Sequence, residues 1–186
     1  MTTYVDYRGK TPPKAESGVF LVTARNIKNG FIDYEASEEY IRIDSFEDAM
    51  SRGKVKRGDV IITTEAPMGN VAQVDREDIA LAQRVIKYRG IDNLLENNFL
   101  CQFLISDFFQ KQLLAEATGS TVLGIKGSRL HKLKIVRPKM DEQISLAMRI
   151  KSLDQMLVSE QKNLAKLINI KAGLMSDLLS GKKDVK

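Results

Sequence analysis

The order of hydrophobic and polar positions changes character near Pro138. Before that point, short runs rich in Val, Ile and Thr alternate with Gly, Asn, Asp and Pro, which is typical of strands joined by turns. The runs that predict strands are 19–24, 59–64, 69–74, 79–88 and 133–136. Asn29 and Gly30 predict a tight turn.

A helical pattern lies between residues 97 and 117. Apolar residues recur there at steps of three and four, which predicts two short helices separated near Ser106 and Asp107. Ser and Asp are favoured N-cap residues, and Gly119 is placed to end the second helix. Residues 1–140 are therefore predicted to form a globular α/β domain of the mixed α+β kind.

From Asp141 onward the pattern becomes a heptad repeat, in which alternating steps of three and four residues keep nine positions on one narrow helical face. We call this face the seam. Its members are Ile150, Leu153, Leu157, Glu160, Leu164, Leu167, Lys171, Leu174 and Leu178. A helix over 141–179 would be about 57 Å long, too long to lie wholly against the preceding domain. We therefore predict that 141–186 form a long C-terminal α-helix of the coiled-coil type; a helix folded back on its own domain is the alternative.

The two charges of the seam favour a particular pairing. In an antiparallel pair, a two-fold axis between Ala165 and Lys166 places Glu160 opposite Lys171 of the other chain. The same axis matches Leu164 with Leu167, Leu157 with Leu174 and Leu153 with Leu178. Charges paired in this way also penalise slipped or parallel arrangements. The pattern therefore predicts an antiparallel homodimer.

Composition narrows the function classes. With 29 Lys and Arg against 24 Asp and Glu, the chain carries a formal charge of +5, which permits an anionic partner without requiring one. One cysteine and one histidine exclude a disulfide framework and any zinc site built from three or four Cys or His ligands of one chain. No apolar stretch is long enough for a membrane span and no export signal is evident, so a cytoplasmic protein is expected.

Motifs for catalysis are missing from the sequence. Gly9, Lys10 and Thr11 imitate the end of a nucleotide phosphate loop, but Tyr4 stands where the first glycine is required. No Gly-x-Gly occurs, which removes the usual dinucleotide fingerprint. We interpret His131 and Cys101 as structural residues. No catalytic residue, metal or cofactor is predicted.

The placement of charge is more informative. Between Glu116 and Asp141 there is no acidic residue, while Lys and Arg recur together with Ser and Thr. Lys and Arg neutralise DNA phosphates, and hydroxyl groups approach the backbone closely, so this basic interval suits a nucleic-acid surface. The alternative is a solvated run of charge. The candidate residues of the basic interval are Thr121, Lys126, Ser128 and Arg129.

A second set of polar residues lies near the N-terminus. Arg, Asn and Gln side chains offer the paired hydrogen-bonding groups that read guanine and adenine edges in the major groove. The candidates from the loops of this region, with a further pair at 83–84, are Lys10, Thr11, Lys14, Arg25, Asn26, Lys28, Asn29, Gln83 and Arg84.

Several segments together resemble a known family. They are YVDYRGKTPPK at 4–14, TARNIKNG at 23–30, GDVIITTE at 58–65, AQR at 82–84, ATGSTV at 117–122 and KAGLM at 171–175. In this order and over nearly the whole chain, they resemble the specificity subunit of type I restriction-modification systems. That subunit normally holds two target recognition domains, each followed by a spacer helix. This chain resembles one such unit, either a natural half-size subunit or a fragment.

The resemblance implies a function. The recognition domain would read a half-site of double-stranded DNA, and the spacer helix would fix the distance to a second half-site. The methyltransferase (modification) subunit and the restriction subunit would supply methylation, ATP hydrolysis and cleavage, so that this chain would catalyse nothing. Two alternative functions stay open: a helical adaptor that binds only protein, and a stand-alone DNA methyltransferase or nuclease, whose motifs are not found in the sequence. For the seam, the alternative is pairing with a helix of a different half-subunit or with the methyltransferase.

Overall fold

The structure is a computed structural model that describes residues 1–9 and 12–181. Its contacts divide the chain into two compact units, Met1–Ser145 and Leu146–Lys186. The strands described, numbered in chain order, are β1 (Thr2–Asp6), β2 (Lys14–Ala15), β3 (Val19–Val22), β4 (Tyr40–Ile41), β5 (Val60–Thr64), β6 (Met68–Gln73), β7 (Ile79–Leu81) and β8 (Val85–Gly90). The helices described are α1 (Phe46–Ala49), α2 (Asn97–Ile105), α3 (Asp107–Ala115), α4 (Gly127–Leu130) and α5 (Met140–Leu179), with a 3₁₀ turn at Ile43–Ser45.

The strands of the first unit form two four-stranded sheets. The first sheet has the order β1-β8-β5-β6 and is antiparallel throughout. The second has the order β2-β4-β3-β7, and its β3 and β7 run parallel. All five residues of β5 are buried, and α2 packs against β5, β6 and β8. A strand covered on both faces reads as a continuous apolar run, as Val60 to Ile62 do.

The core is built from residues of both sheets and of the segments between them. Its largest fully buried members are Tyr7, Leu21, Ile27, Ile41, Met50, Ile61, Ile79 and Leu81. The Tyr7 hydroxyl donates to the Gly53 carbonyl at 2.5 Å, so its polar end is satisfied inside the core. Each such side chain contributes about 1.5 to 3 kcal/mol through burial.

Three predicted strands are confirmed as β3, β5 and β6, and the Asn29–Gly30 turn is confirmed by a hydrogen bond of 3.0 Å from Lys28 N to Phe31 O. The single strand predicted over 79–88 is wrong. The chain leaves the second sheet after β7 and enters the first at β8, so two strands lie where one apolar run suggested a single strand.

The strand predicted over 133–136 is also wrong, because this segment pairs with no strand in the described part of the chain. Its alternation has another cause: Leu133 and Ile135 are partly buried and line a small apolar cavity together with Leu100 and Leu104. Side chains that pack in alternation give the same pattern as a strand, whether or not the backbone is paired.

The helical predictions are confirmed. Ser106 caps α3 by accepting from Phe109 N at 3.4 Å, while Glu96 caps α2 by accepting from Phe99 N at 2.7 Å. Helix α3 ends at Ala115, four residues before the predicted stop at Gly119.

The heptad pattern forms one helix of 40 residues, α5, and every residue of the seam is exposed in the described chain. In residues 1–9 and 12–181, no helix has the length and apolarity needed to cross a membrane. The molecule is therefore a mixed α/β unit with a long C-terminal helix, as predicted.

Candidate nucleic-acid interface

A cleft of about 240 Å³ lies where the end of β7 meets the segments around β3. It brings together four predicted DNA-binding residues from three separate parts of the chain: Lys14, Arg25, Gln83 and Arg84. Apolar side chains of Leu21, Ala24 and Ala82 line it as well, and all three are buried. The cleft therefore combines a rigid apolar base with cationic and amide side chains that are open to solvent.

The backbone at Gln83 and Arg84 is fixed on both sides. Ala82 N donates to Val22 O in the second sheet at 2.9 Å, and Thr64 N donates to Arg84 O in the first at 2.8 Å. Arg84 has a φ of 73°, in the left-handed region that few residues other than glycine occupy. Such conformations concentrate at functional sites. The crossover between the sheets thus presents both side chains from a clamped backbone.

Asn26 does not reach the cleft as a base reader, and its prediction is corrected. It is fully buried, and its Oδ1 accepts from Thr23 N and Thr23 Oγ1, both at 2.9 Å. Its Nδ2 donates to Asp33 O at 2.9 Å and to Ser37 O at 2.8 Å. Because the amide is fully engaged, Asn26 has no group left for a base. Its role is to fold the loop that presents Arg25.

The other residues of this loop are partly engaged. Lys28 Nζ donates to Arg25 O at 2.9 Å, and Asn29 Oδ1 accepts from Val71 N at 3.3 Å. Arg25 is exposed and forms no ion pair with any residue of 1–9 or 12–181. Lys10 and Thr11 lie outside the described residues. Arg25 is consequently the side chain of this loop with the most freedom to meet a ligand.

The basic interval begins with a closed loop. Thr118 and Gly124 exchange two backbone hydrogen bonds of 2.8 and 3.0 Å, and Thr121 is exposed between them. Ile125 N then donates to Thr64 O at 2.9 Å, which fastens the loop beside the turn that follows β5. At Gly124 a Cβ would lie only 3.3 Å from Thr64 O, so glycine permits this close approach. The loop therefore adjoins the same turn that borders the cleft.

Three basic-interval candidates lie on and beside α4. Lys126, Ser128 and Arg129 are all exposed. Arg129 Nη1 donates to Glu116 O at 3.3 Å and lies 3.7 Å from the Glu116 carboxylate. Lys126 has no ion pair in the described part of the chain. The basic interval thus contains no acidic residue in sequence, but the carboxylate of Glu116 lies beside Arg129 in the structure.

Acidic side chains at the cleft were missed by sequence reasoning. Glu39 Oε2 lies 2.9 Å from Lys14 Nζ, and Glu65 Oε2 lies 3.6 Å from Arg84 Nε. The predicted DNA-binding set contains only cationic, amide and hydroxyl side chains, because a carboxylate repels phosphate. The sequence feature that could have indicated Glu65 is its position directly after the apolar run of β5, at the end of a strand.

His131 and Cys101 do not line the cleft. The Tyr88 hydroxyl and His131 Nδ1 lie 2.7 Å apart, and the imidazole stacks on Tyr4 with ring centroids 3.7 Å apart. Burial lowers the pKa of His131, with Asp6 opposing the shift. Cys101 is buried within α2. In the described chain, no group of three or more His, Cys, Asp or Glu side chains could hold a metal ion.

The fold, with its two sheets and a 40-residue C-terminal helix, is similar to that of solved S subunits of type I restriction-modification systems. Residues 6–169 match the family described as the type I restriction modification DNA specificity domain. The chain belongs to this family.

Particular relatives support the assignment. The chain is 29% identical over 139 residues to the type I restriction enzyme MjaVIII specificity subunit of Methanocaldococcus jannaschii, covering 71% of this chain and 32% of the relative. The HsdS subunit of Thermoanaerobacter tengcongensis aligns with a TM-score of 0.63 at 20% identity, over 94% of this chain and 47% of that chain. The S subunit of M. genitalium aligns with a TM-score of 0.53 at 20% identity, over 95% of this chain and 44% of that chain. The chain spans about a third of the curated relative and under half of the solved chains.

Proposed function

We propose that this chain is the sequence-specific DNA-binding subunit of a type I restriction-modification complex. Residues 1–140 read one half-site of double-stranded DNA, and residues 141–186 form the spacer that sets the distance to a second. The observation that carries the proposal is the cleft, which gathers Lys14, Arg25, Gln83 and Arg84 on a fixed backbone. Membership of the DNA specificity family supports it.

The proposed DNA-contacting residues fall into two groups. Arg25, Gln83 and Arg84 lie at the cleft and carry the donors that base edges accept. Residues that position the phosphate backbone are Lys10, Thr11, Lys14, Lys28, Asn29, Thr121, Lys126, Ser128 and Arg129. Base contacts specify the sequence, whereas phosphate contacts fix the register of the protein on the duplex.

Catalysis in this proposal belongs to other subunits. The modification subunit methylates, and the restriction subunit hydrolyses ATP and cleaves. The chain itself contributes recognition and geometry. Support comes from the specificity family to which the chain belongs.

We further propose that α5 pairs with α5 of a second copy, antiparallel, through the seam. Leu153, Leu157, Leu164 and Leu167 are each about 60% exposed in the isolated chain, which leaves a long apolar stripe in water. Stripes of this size mark interaction surfaces. Two recognition domains held apart by such a pair would read an inverted repeat interrupted by a fixed spacer.

Co-expression with a type I methyltransferase subunit tests the function. We expect sequencing of methylated bases to find one interrupted motif that disappears when this chain is omitted. Methylation without a motif, or a full chain whose DNA affinity does not fall with salt, would instead favour the protein-binding adaptor.

A further inference from the structure

Glu65 and Arg84 form a pair at the border of the cleft. They come from the end of β5 and the start of β8, and Arg84 Nε lies 3.6 Å from Glu65 Oε2. The side chains are 48% exposed for Arg84 and 39% exposed for Glu65, and the separation exceeds that of a normal hydrogen bond. A half-exposed pair of this kind contributes little to stability. Both side chains therefore keep hydrogen-bonding capacity for a ligand.

The backbone beneath the pair is rigid. Thr64 N donates to Arg84 O at 2.8 Å, and Thr64 O accepts from Ile125 N at 2.9 Å. Glu65 itself forms an antiparallel bridge with Gly124. Glu65 directly follows β5 and Arg84 directly precedes β8, so each side chain starts from a backbone that is held by the adjoining strand. Accurate placement of this kind is a requirement for reading bases. The backbone that carries the pair is thus fixed by hydrogen bonds, and the two side chains are partly exposed.

The chemistry of the pair matches one base pair. In the major groove, a G·C pair presents two acceptors on guanine, N7 and O6, followed by one donor on cytosine, N4. The guanidinium of Arg84 supplies two parallel donors, and the carboxylate of Glu65 supplies the neighbouring acceptor. An A·T pair presents acceptor, donor and acceptor, which does not match this order. On the basis of the proposed function, we propose that Arg84 and Glu65 together read a single G·C base pair.

A phosphate contact fits the pair less well. A carboxylate beside a guanidinium repels phosphate and offsets the attraction of the cation. Lys126, by contrast, forms no ion pair within the described part of the chain and suits phosphate better. In this proposal Glu65 therefore accepts a hydrogen bond from cytosine and keeps Arg84 directed at a base.

The test begins with the full chain selecting a motif from a library of random duplexes. Failure to select any motif would overturn the proposed function, and this inference with it. In the selected duplex, 7-deazaguanine then replaces each guanine and N4-methylcytosine each cytosine, one position at a time. We expect one base pair at which each analogue weakens wild-type binding roughly ten-fold. A motif in which no base pair responds to both analogues would overturn the inference alone.

Variants assign that base pair to the two side chains. Arg84→Ala is expected to lose sensitivity to 7-deazaguanine, and Glu65→Gln to lose sensitivity to N4-methylcytosine, at the same pair. Arg84→Lys keeps the charge, so we expect it to lose preference for guanine while keeping its affinity for unrelated DNA. Asp78→Asn is the matched control, because it alters the exposed Arg76–Asp78 pair at the opposite end of β7. Variants that respond to the analogues as the wild type does would show that the pair does not read this position.

Discussion

A buried carboxylate shows how much one residue contributes to this fold. Asp59 is 1% exposed and accepts from Arg89 Nε at 2.6 Å and from Arg89 Nη2 at 2.7 Å. It also accepts from Lys56 N at 2.8 Å and lies 3.5 Å from Lys87 Nζ. Burial lowers the pKa of Lys87, and the charge of Asp59 opposes that shift. Asp59 thus joins β8 to the start of β5, at the opposite end of that strand from the cleft.

Removing this carboxylate should destabilise the protein strongly. Asp59→Ala leaves Lys87 and the partly buried Arg89 without their partner, so we expect the free energy of unfolding to fall by about 3 to 5 kcal/mol. Urea denaturation followed by circular dichroism measures the loss. Asp78→Ala removes an exposed partner and should cost about 1 kcal/mol or less. Similar losses in the two variants would contradict the structural role of Asp59.

His131 makes stability depend on pH. Its pKa is lowered from the ordinary 6.5 in the folded protein, so the unfolded chain takes up a proton more readily. The stability due to the neutral imidazole is present above about pH 6.5 and is lost as the pH falls toward the lowered pKa. Because the chain has one histidine, we expect His131→Gln to reduce the difference in unfolding free energy between about pH 7.5 and about pH 5.5. An unchanged difference would mean that other groups cause it.

At the scale of elements, short segments do the positioning. Strands β2 and β4 have two residues each. Strand β2 carries Lys14, and β4 pairs with both β2 and β3 and so joins β2 to the rest of the sheet. Helix α4 has a single turn, and it presents Ser128 and Arg129. Such elements are held by their neighbours rather than by their own propensity, since isolated single turns and two-residue strands are unstable.

In the proposed function, α4 and Lys126 just before it contact DNA phosphates. Lys126→Ala combined with Arg129→Ala should weaken binding to all DNA sequences and flatten the salt dependence by about one to two charges. Fluorescence anisotropy at several salt concentrations measures this slope. The control, Lys56→Ala with Arg57→Ala, removes the same charge before β5, away from its Thr64 end. If both double variants reduce affinity equally, net charge rather than a defined surface is responsible.

For the molecule as a whole, the proposed pairing of α5 depends on the two charged residues of the seam. In the proposed antiparallel register, Glu160 of each chain faces Lys171 of the other, so the interface contains two such pairs. Glu160→Lys should therefore dissociate the dimer, because it sets two Lys–Lys pairs in an otherwise apolar interface. Sedimentation of the full chain at micromolar concentration measures the change.

Charge reversal on the second side distinguishes this register from others. Adding Lys171→Glu to Glu160→Lys restores opposite charges and should restore the dimer. A swap of Lys151 and Asp154 on α5, outside the seam, is the control and should leave association unchanged. A wild-type chain that sediments as a monomer, or a double swap that fails to rescue, rules this register out.

Sequence patterns alone predict the elements whose hydrophobic spacing is local. Helices α2, α3 and α5 follow from apolar spacing within one turn or heptad, and β3, β5 and β6 follow from short apolar runs between turn residues. The order of the family motifs along the chain indicates the protein class without reference to the fold. These properties depend on neighbours a few residues apart, which is why periodicity and spacing reveal them.

The arrangement of the candidate residues follows from the tertiary structure and not from local sequence patterns. It gathered Lys14, Arg25 and Arg84 at one cleft, buried Asn26, and brought Glu65 beside Arg84. The division of 79–88 between two sheets likewise depends on pairing with β3 and β5, which are distant in sequence. Such contacts join residues tens of positions apart, and no local pattern records which distant strand a segment meets or which polar side chain loses its access to solvent.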